Sequence, residues 1–175
     1  MFPLRRFLIT IFKAKYAQPI AIDEQAHTRI RCWPWDLDLF FELNNGKALS
    51  LYDLGRFDLA IKTPFMRVLK ANNWGFVVAG STIRYRKRIR AFDHIEMRSQ
   101  MIGYDERWLY IEQSMWVKGQ PCSSILLRTG VTSKGKVIAP EIAKKAMGIE
   151  HLELIDSPFL ESWKASEAIR PWPPK

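Results

Sequence analysis

The run from Asn45 to Ile61 constrains this chain more than any other. Ala48, Leu49, Leu51, Tyr52, Leu54, Phe57, Leu59, Ala60 and Ile61 spread apolar side chains over four turns and around most of one helix. Such a helix has to be enclosed rather than laid on a surface. Its ends are marked. Asn44 or Asn45 serves as N-cap, and Pro64 either stops the helix or opens a second short one over Phe65 to Ala71, which Asn72-Asn73 ends.

The segments that can enclose it follow. Trp74 to Arg90, Asp93 to Tyr104, Arg107 to Val117 and Ser123 to Ser133 each read as strands. Ala91-Phe92, Asp105-Glu106 and Lys118-Gly119-Gln120-Pro121 separate them at hairpin length, so antiparallel neighbours joined by tight turns are expected. An earlier strand is expected between His27 and Trp35, with Ile30, Cys32 and Trp33 in it. The class is α+β: a curved antiparallel sheet of about five strands wrapped around one long central helix, the plan of a hotdog fold. Residues 1–27 form a basic-apolar helix and a connector, 28–150 the main domain, and 151–175 a proline-rich tail. Pro140 opens a helix reaching about Gly148, while the tail, with Pro158, Pro171, Pro173 and Pro174, is expected to wrap loosely.

At 175 residues the chain suits one domain with a real core. The 27 basic residues outnumber the 18 acidic ones to give +9, which points to an anionic partner or serves solubility alone. Nucleic acid is disfavoured, because no RNA-recognition or helix-turn-helix pattern accompanies the charge. Cys32 and Cys122 are far apart and His27, His94 and His151 are scattered, so neither a disulfide framework nor a metal site is expected. Reduced thiols fit a cytoplasmic protein. Near the amino terminus, Arg5, Arg6, Lys13 and Lys15 flank Phe7-Leu8-Ile9-Thr10-Ile11-Phe12, too short a run to span a bilayer. Two readings remain open for it: a helix packed on its own domain, or an interfacial helix making weak contact with the inner membrane face.

Between the first strand and the central helix lies Trp35-Asp36-Leu37-Asp38-Leu39-Phe40-Phe41-Glu42-Leu43-Asn44-Asn45-Gly46-Lys47. Two Asp, a Glu and two amides inside an apolar neighbourhood are wasteful in a core, where each unpaired polar group costs about 1–3 kcal/mol. They suit a site at a helix start.

These residues carry a family resemblance. Asp36-Leu37-Asp38, then Leu43-Asn44-Asn45-Gly46 and a helix running to Gly55-Arg56-Phe57, resemble the D-x-D…H-x-N-N…Y…R-F signature of hotdog acyl-CoA thioesterases, the relatives of 4-hydroxybenzoyl-CoA thioesterase. Ile83-Arg84-Tyr85-Arg86-Lys87-Arg88-Ile89-Arg90 followed by Asp93 resembles that family's strand-then-acid pattern, and the similarity runs over roughly residues 28–135. The chain departs from the pattern in two places. Glu42 stands at the family's histidine, and Leu49 where the helix tyrosine is frequent, with Tyr52 one turn on.

The resemblance implies cleavage of an acyl thioester to a free acid and CoA, with no cofactor beyond the coenzyme A of the substrate and no metal. It matches Asp38 to the catalytic acid, acting as general base or as nucleophile. A bland reading is available, in which Asp38 merely binds backbone amides at the helix entry. Glu42 is the second candidate carboxylate and would repel Asp38 with both ionised; otherwise it is an exposed loop acid. Asn44 and Asn45 either cap the helix or donate to the carbonyl oxygen, and the amides near Gly46 and Lys47 are candidate oxyanion donors. Asp36 reads as a turn acid. Substrate contacts are expected from Gly46, Tyr52, Arg56 and Tyr85. Strand alternation puts Arg84, Arg86, Arg88 and Arg90 on one face, able to grip coenzyme A phosphates or an acidic acyl carrier protein. Family analogy places the site between subunits of a dimer or tetramer. A non-catalytic acyl-CoA or acyl-carrier-protein binder on the same scaffold is the alternative.

Overall fold

The computed structural model describes residues 3–153, 157–171 and 173. In chain order it contains α1 (Leu4–Lys15), β1 (Ala26–Arg31), a single 3-10 turn (Pro34–Asp36), α2 (Asn45–Lys62), α3 (Phe65–Ala71), β2 (Gly75–Tyr85), β3 (His94–Tyr104), β4 (Leu109–Val117), β5 (Gln120–Ser133), β6 (Lys136–Val137), α4 (Pro140–Met147) and α5 (Pro158–Ile169). One antiparallel sheet runs β1-β3-β4-β5-β2, with β6 on β5. It curls around α2, as expected of a hotdog fold. Among the described residues no helix is long and apolar enough to cross a membrane.

Alternation decides which sheet face meets the helix. In β3, Ile95, Met97, Ser99 and Met101 are buried while His94, Glu96, Arg98 and Gln100 face outward. Ile111, Gln113 and Met115 of β4 continue the inner layer, as do Ile125, Leu127 and Val131 of β5. Against it α2 buries Ala48, Leu51, Tyr52, Leu54, Gly55, Asp58 and Leu59. Its remaining side is capped by α1, where Phe7 meets Phe57 edge to face at 4.7 Å. α2 reaches its sheet at Gly55. A Cβ there would lie 2.2 Å from Met97 Sδ, 2.7 Å from Ser99 Oγ and 2.9 Å from Gln113 Nε2.

Several expectations need correction. β2 and β3 are not hairpin partners, because β2 pairs with β5 and β3 with β1 and β4. Nor does β2 run on to Arg90. Its partner runs out: Tyr85 pairs with Ser123, the Arg86 and Lys87 amides both donate to the Cys122 carbonyl, and Pro121 beyond has no N–H to offer. Residues 86–93 instead form a strap across the end of the sheet. The tail also differs from expectation, since residues 158–169 form a helix that docks by burying Leu160, with Trp163 beneath the Arg128 guanidinium at 5.4 Å. Pro158 is the cause, because proline at the first helical position starts a helix rather than breaking one. Pro174 lies outside the described residues.

Gly55→Ala is predicted to destabilise the protein. The gain in helix propensity is about 1 kcal/mol, and overpacking costs roughly 1–3 kcal/mol. The net loss expected in urea unfolding is about 1 kcal/mol. A more stable variant would show that the sheet yields at this crossing.

Candidate active site

The polar segment folds into a closed loop. Leu37 and Leu43 form an isolated antiparallel bridge. Between them the Asp38 amide donates to the Glu42 carbonyl at 2.8 Å, and the Phe41 amide to the Asp38 carbonyl at 3.1 Å. Phe41 adopts φ 57°, a left-handed conformation costing on the order of 1 kcal/mol for a bulky residue. At the tip, Leu39, Phe40 and Phe41 are all exposed.

Each polar side chain in this segment has a distinct partner. Asp36 is buried, and its Oδ2 accepts from the Trp33 amide at 2.9 Å and from Arg6 Nη2 at 2.7 Å. It is a turn acid paired to α1. Half-buried Asp38 accepts through Oδ1 from the Phe40 amide at 2.8 Å and the Glu42 amide at 3.3 Å. Its Oδ2 takes no hydrogen bond among the described residues. Asn44 caps α2, its Oδ1 accepting from the Gly46 amide at 2.9 Å and the Lys47 amide at 3.1 Å. Those two amides, expected as oxyanion donors, are therefore already bound. Asn45 is exposed, and neither its backbone N–H nor its side chain has a partner among the described residues, while its carbonyl accepts from the Tyr85 hydroxyl at 3.4 Å.

The strap completes this end of the molecule. The Leu43 amide donates to the Ile89 carbonyl at 2.8 Å, and Arg88 Nε pairs with Glu42 Oε1 at 2.8 Å. Glu42 is thus charge-compensated rather than facing Asp38 unpaired. Asp38, Glu42, Asn44, Asn45, Gly46, Tyr85 and Arg88 are the predicted residues gathered at the start of α2.

Others lie elsewhere. Tyr52, expected to contact substrate, is fully buried in the core and bonds Ser123 Oγ at 2.7 Å. Burial pushes its phenol well above the ordinary value of 10.0, with the Ser123 hydrogen bond pulling back. The arginine row is broken because Arg86, Arg88 and Arg90 lie beyond the strand. Arg84 sits over the Phe159 ring at 5.7 Å, Arg86 opens with Lys87 and Arg98 on a cavity of about 480 Å³, and the Arg90 amide donates to Asp93 at 2.8 Å.

Arg56 lies further along α2, at the wall of an apolar cavity of about 580 Å³ bounded by Phe57, Phe65, Met66, Phe76 and Met101. It pairs with Asp53 and donates to Gln113 Oε1 at 3.2 Å. Burial pulls it down to about 10, which leaves it a cation at neutral pH. Gln113 in turn donates to the Tyr52 carbonyl at 3.0 Å and to Ser99 Oγ at 2.8 Å. Sequence reasoning missed Asp53 and Gln113. For Gln113 a signal existed: it falls in register with the inward-facing Ile111 and Met115.

Comparison with known proteins matches the chain to a family. The family model described as the thioesterase-like superfamily covers residues 32–146. Protein THEM6 of Xenopus laevis is 31% identical over 111 residues, 62% of this chain and 53% of that protein. A probable thioesterase of Saccharomyces cerevisiae is 26% identical over 119 residues, 66% of this chain and 52% of that protein. The chain spans about half the length of these relatives. Among solved structures, a probable thioesterase from Escherichia coli superposes with TM-score 0.64 at 22% identity, covering 69% of this chain and 97% of that one. A Thermus thermophilus thioesterase complexed with coenzyme A and Zn does so with TM-score 0.60 at 20% identity, covering 73% and 95%. At such identities these structures show the fold alone.

One titration follows from the packing beside the loop. Burial raises the Cys32 thiol from 9.0 to about 11, with Asp36 and Asp93 adding to the effect. A raised thiol contributes stability that is complete below pH 9 and is lost as pH climbs toward 11. The loss by pH 11 is about 2 kcal/mol from this group. Thermal melts from pH 8 to 11 should fall more steeply for wild type than for Cys32→Ala; equal slopes would show that the thiol stays in contact with solvent.

Proposed function

The chain belongs to the thioesterase-like superfamily, and from that membership we propose that it hydrolyses an acyl-CoA thioester to a free acid and CoA, with Asp38 as the catalytic carboxylate. The observation that carries the reading is the Asp38 side chain itself. One oxygen is fixed by two loop amides while the other has no partner among the described residues, ahead of the N-terminus of the central helix. A carboxylate held in this way can take a proton from water or attack the carbonyl carbon. The Asn45 amides, together with the positive end of α2, supply the donor for the oxyanion, since Asn44 occupies the Gly46 and Lys47 amides. The apolar cavity beside Phe57 and Phe65 supports an acyl group as the other half of the substrate.

Coenzyme A in the Thermus thermophilus structure supports CoA as the carrier here. The basic strap, with Arg86 and Lys87, suits its phosphates or an acidic carrier protein. Self-association is part of the same reading. β2 is an edge strand with Val77 and Val78 exposed, so its open edge is available to a second copy.

A second reading is favoured by one observation: Glu42, at the family's histidine, is tied up by Arg88. That arrangement suits a binder of acyl-CoA without turnover.

Thiol release from short, long and aromatic acyl-CoAs separates the two. Asp38→Asn is expected to lower kcat/KM by about 10²–10⁴-fold, the usual range for a positioned acid or base, with KM little changed and the fold intact by circular dichroism. Undiminished turnover in the variant would remove Asp38 from the chemistry. Tight acyl-CoA binding by the wild type with no thiol released would favour the binder.

A further inference from the structure

We infer that the outward face of α1 docks on an anionic lipid bilayer, with the helix lying in the interfacial plane. This goes beyond the hydrolytic reading and does not depend on it. α1 lies outside the residues 32–146 matched to the family, so the thioesterase scaffold gives no account of it.

The inner face of α1 packs on its own domain. Thr10 and Ala14 are buried, Phe7 packs on Phe57, and Arg6 pairs with Asp36. Its outer face has the wrong chemistry for a helix in water, which turns charged and polar residues outward. Leu4, Leu8, Ile9, Phe12 and Tyr16 are all exposed, Phe12 by 65% and Tyr16 by 72%. Leu4, Leu8, Phe12 and Tyr16 recur every four residues, with Ile9 beside Leu8, so the set lies along one side of the helix. The charges on this face, Arg5, Lys13 and Lys15, are all positive, and α1 contains no acidic residue.

Large aliphatic and aromatic side chains level with Arg and Lys match the boundary between acyl chains and anionic headgroups. The chain's +9 adds attraction of the same sign. The Arg6–Asp36 ion pair also sets the turn carrying exposed Trp35 beside α1, and Leu39, Phe40 and Phe41 are exposed at the tip of the adjoining loop.

Co-sedimentation of the full chain with vesicles tests the inference. Vesicles of phosphatidylcholine alone and vesicles enriched in phosphatidylglycerol are compared at low and high salt. Wild type is expected to bind the anionic vesicles and to be released by salt. Leu8→Glu with Phe12→Glu, both at exposed positions, is expected to weaken binding by at least about tenfold. Lys13→Glu with Lys15→Glu should abolish the preference for anionic lipid. Circular dichroism and the melting temperature report that the variants are folded. Three outcomes would overturn the inference: wild type leaves anionic vesicles unbound, the Leu8 and Phe12 variant binds as well as wild type, or that variant keeps its vesicle binding while breaking up a wild-type oligomer in sedimentation velocity. In the last case the face joins two copies of the chain.

Discussion

The close approach of α2 to its sheet at Gly55 sets the rest of the molecule. With no Cβ in the way, the helix backbone reaches Met97 and Ser99 of β3, and Gln113 of β4 bonds both the Tyr52 carbonyl and Ser99. An inward glutamine among apolar neighbours is costly unless all of its groups are paired. Here the helix carbonyl, the serine and Arg56 share the task, which fixes the rotation of α2 as well as its depth. That rotation directs Leu51, Leu54 and Leu59 inward and leaves Phe57 for α1.

With α2 fixed, its N-terminus becomes a defined point in space, and two other segments hold the loop there. Asp36 is bonded to the Trp33 amide and to Arg6, and its carbonyl accepts from the Asn44 amide at 2.9 Å. The strap of residues 86–93 holds Leu43 through Ile89 and reaches Cys32 through Phe92 and Asp93. Three stretches distant in sequence thus meet at one helix end. With few of its side chains buried, the loop is held by hydrogen bonding rather than by packing, which is how Phe41 is kept at positive φ.

Much of this was legible in the residues. The long apolar helix, the Asn44 cap, the second helix after Pro64 and the later strands follow from local periodicity and from proline and asparagine chemistry, which act over a few residues. The gathering of Asp38, Asn44 and Asn45 at the helix start could also be read, since neighbours in sequence must be near in space. Arg84 to Arg90 misled because alternation holds only while a strand has a partner, and Pro121 of the neighbouring β5 ends that partnership. The helix at 158–169 was hidden by a tail rich in proline, where the single Pro158 at a helix start looks like its neighbours.

The kind of fold and the location of the polar loop follow from the residues alone, because hydrophobic period and capping chemistry are local properties. Which of those polar groups were already committed is settled by long-range contacts in the folded chain. Asn44 takes the Gly46 and Lys47 amides, Arg88 takes Glu42, and Tyr52 goes to the core with Ser123. Each of these outcomes except the Asn44 cap rests on a partner far along the chain. A hydrogen bond or ion pair forms only where two groups meet within about 3 Å, and that meeting is set by how the sheet curls around α2.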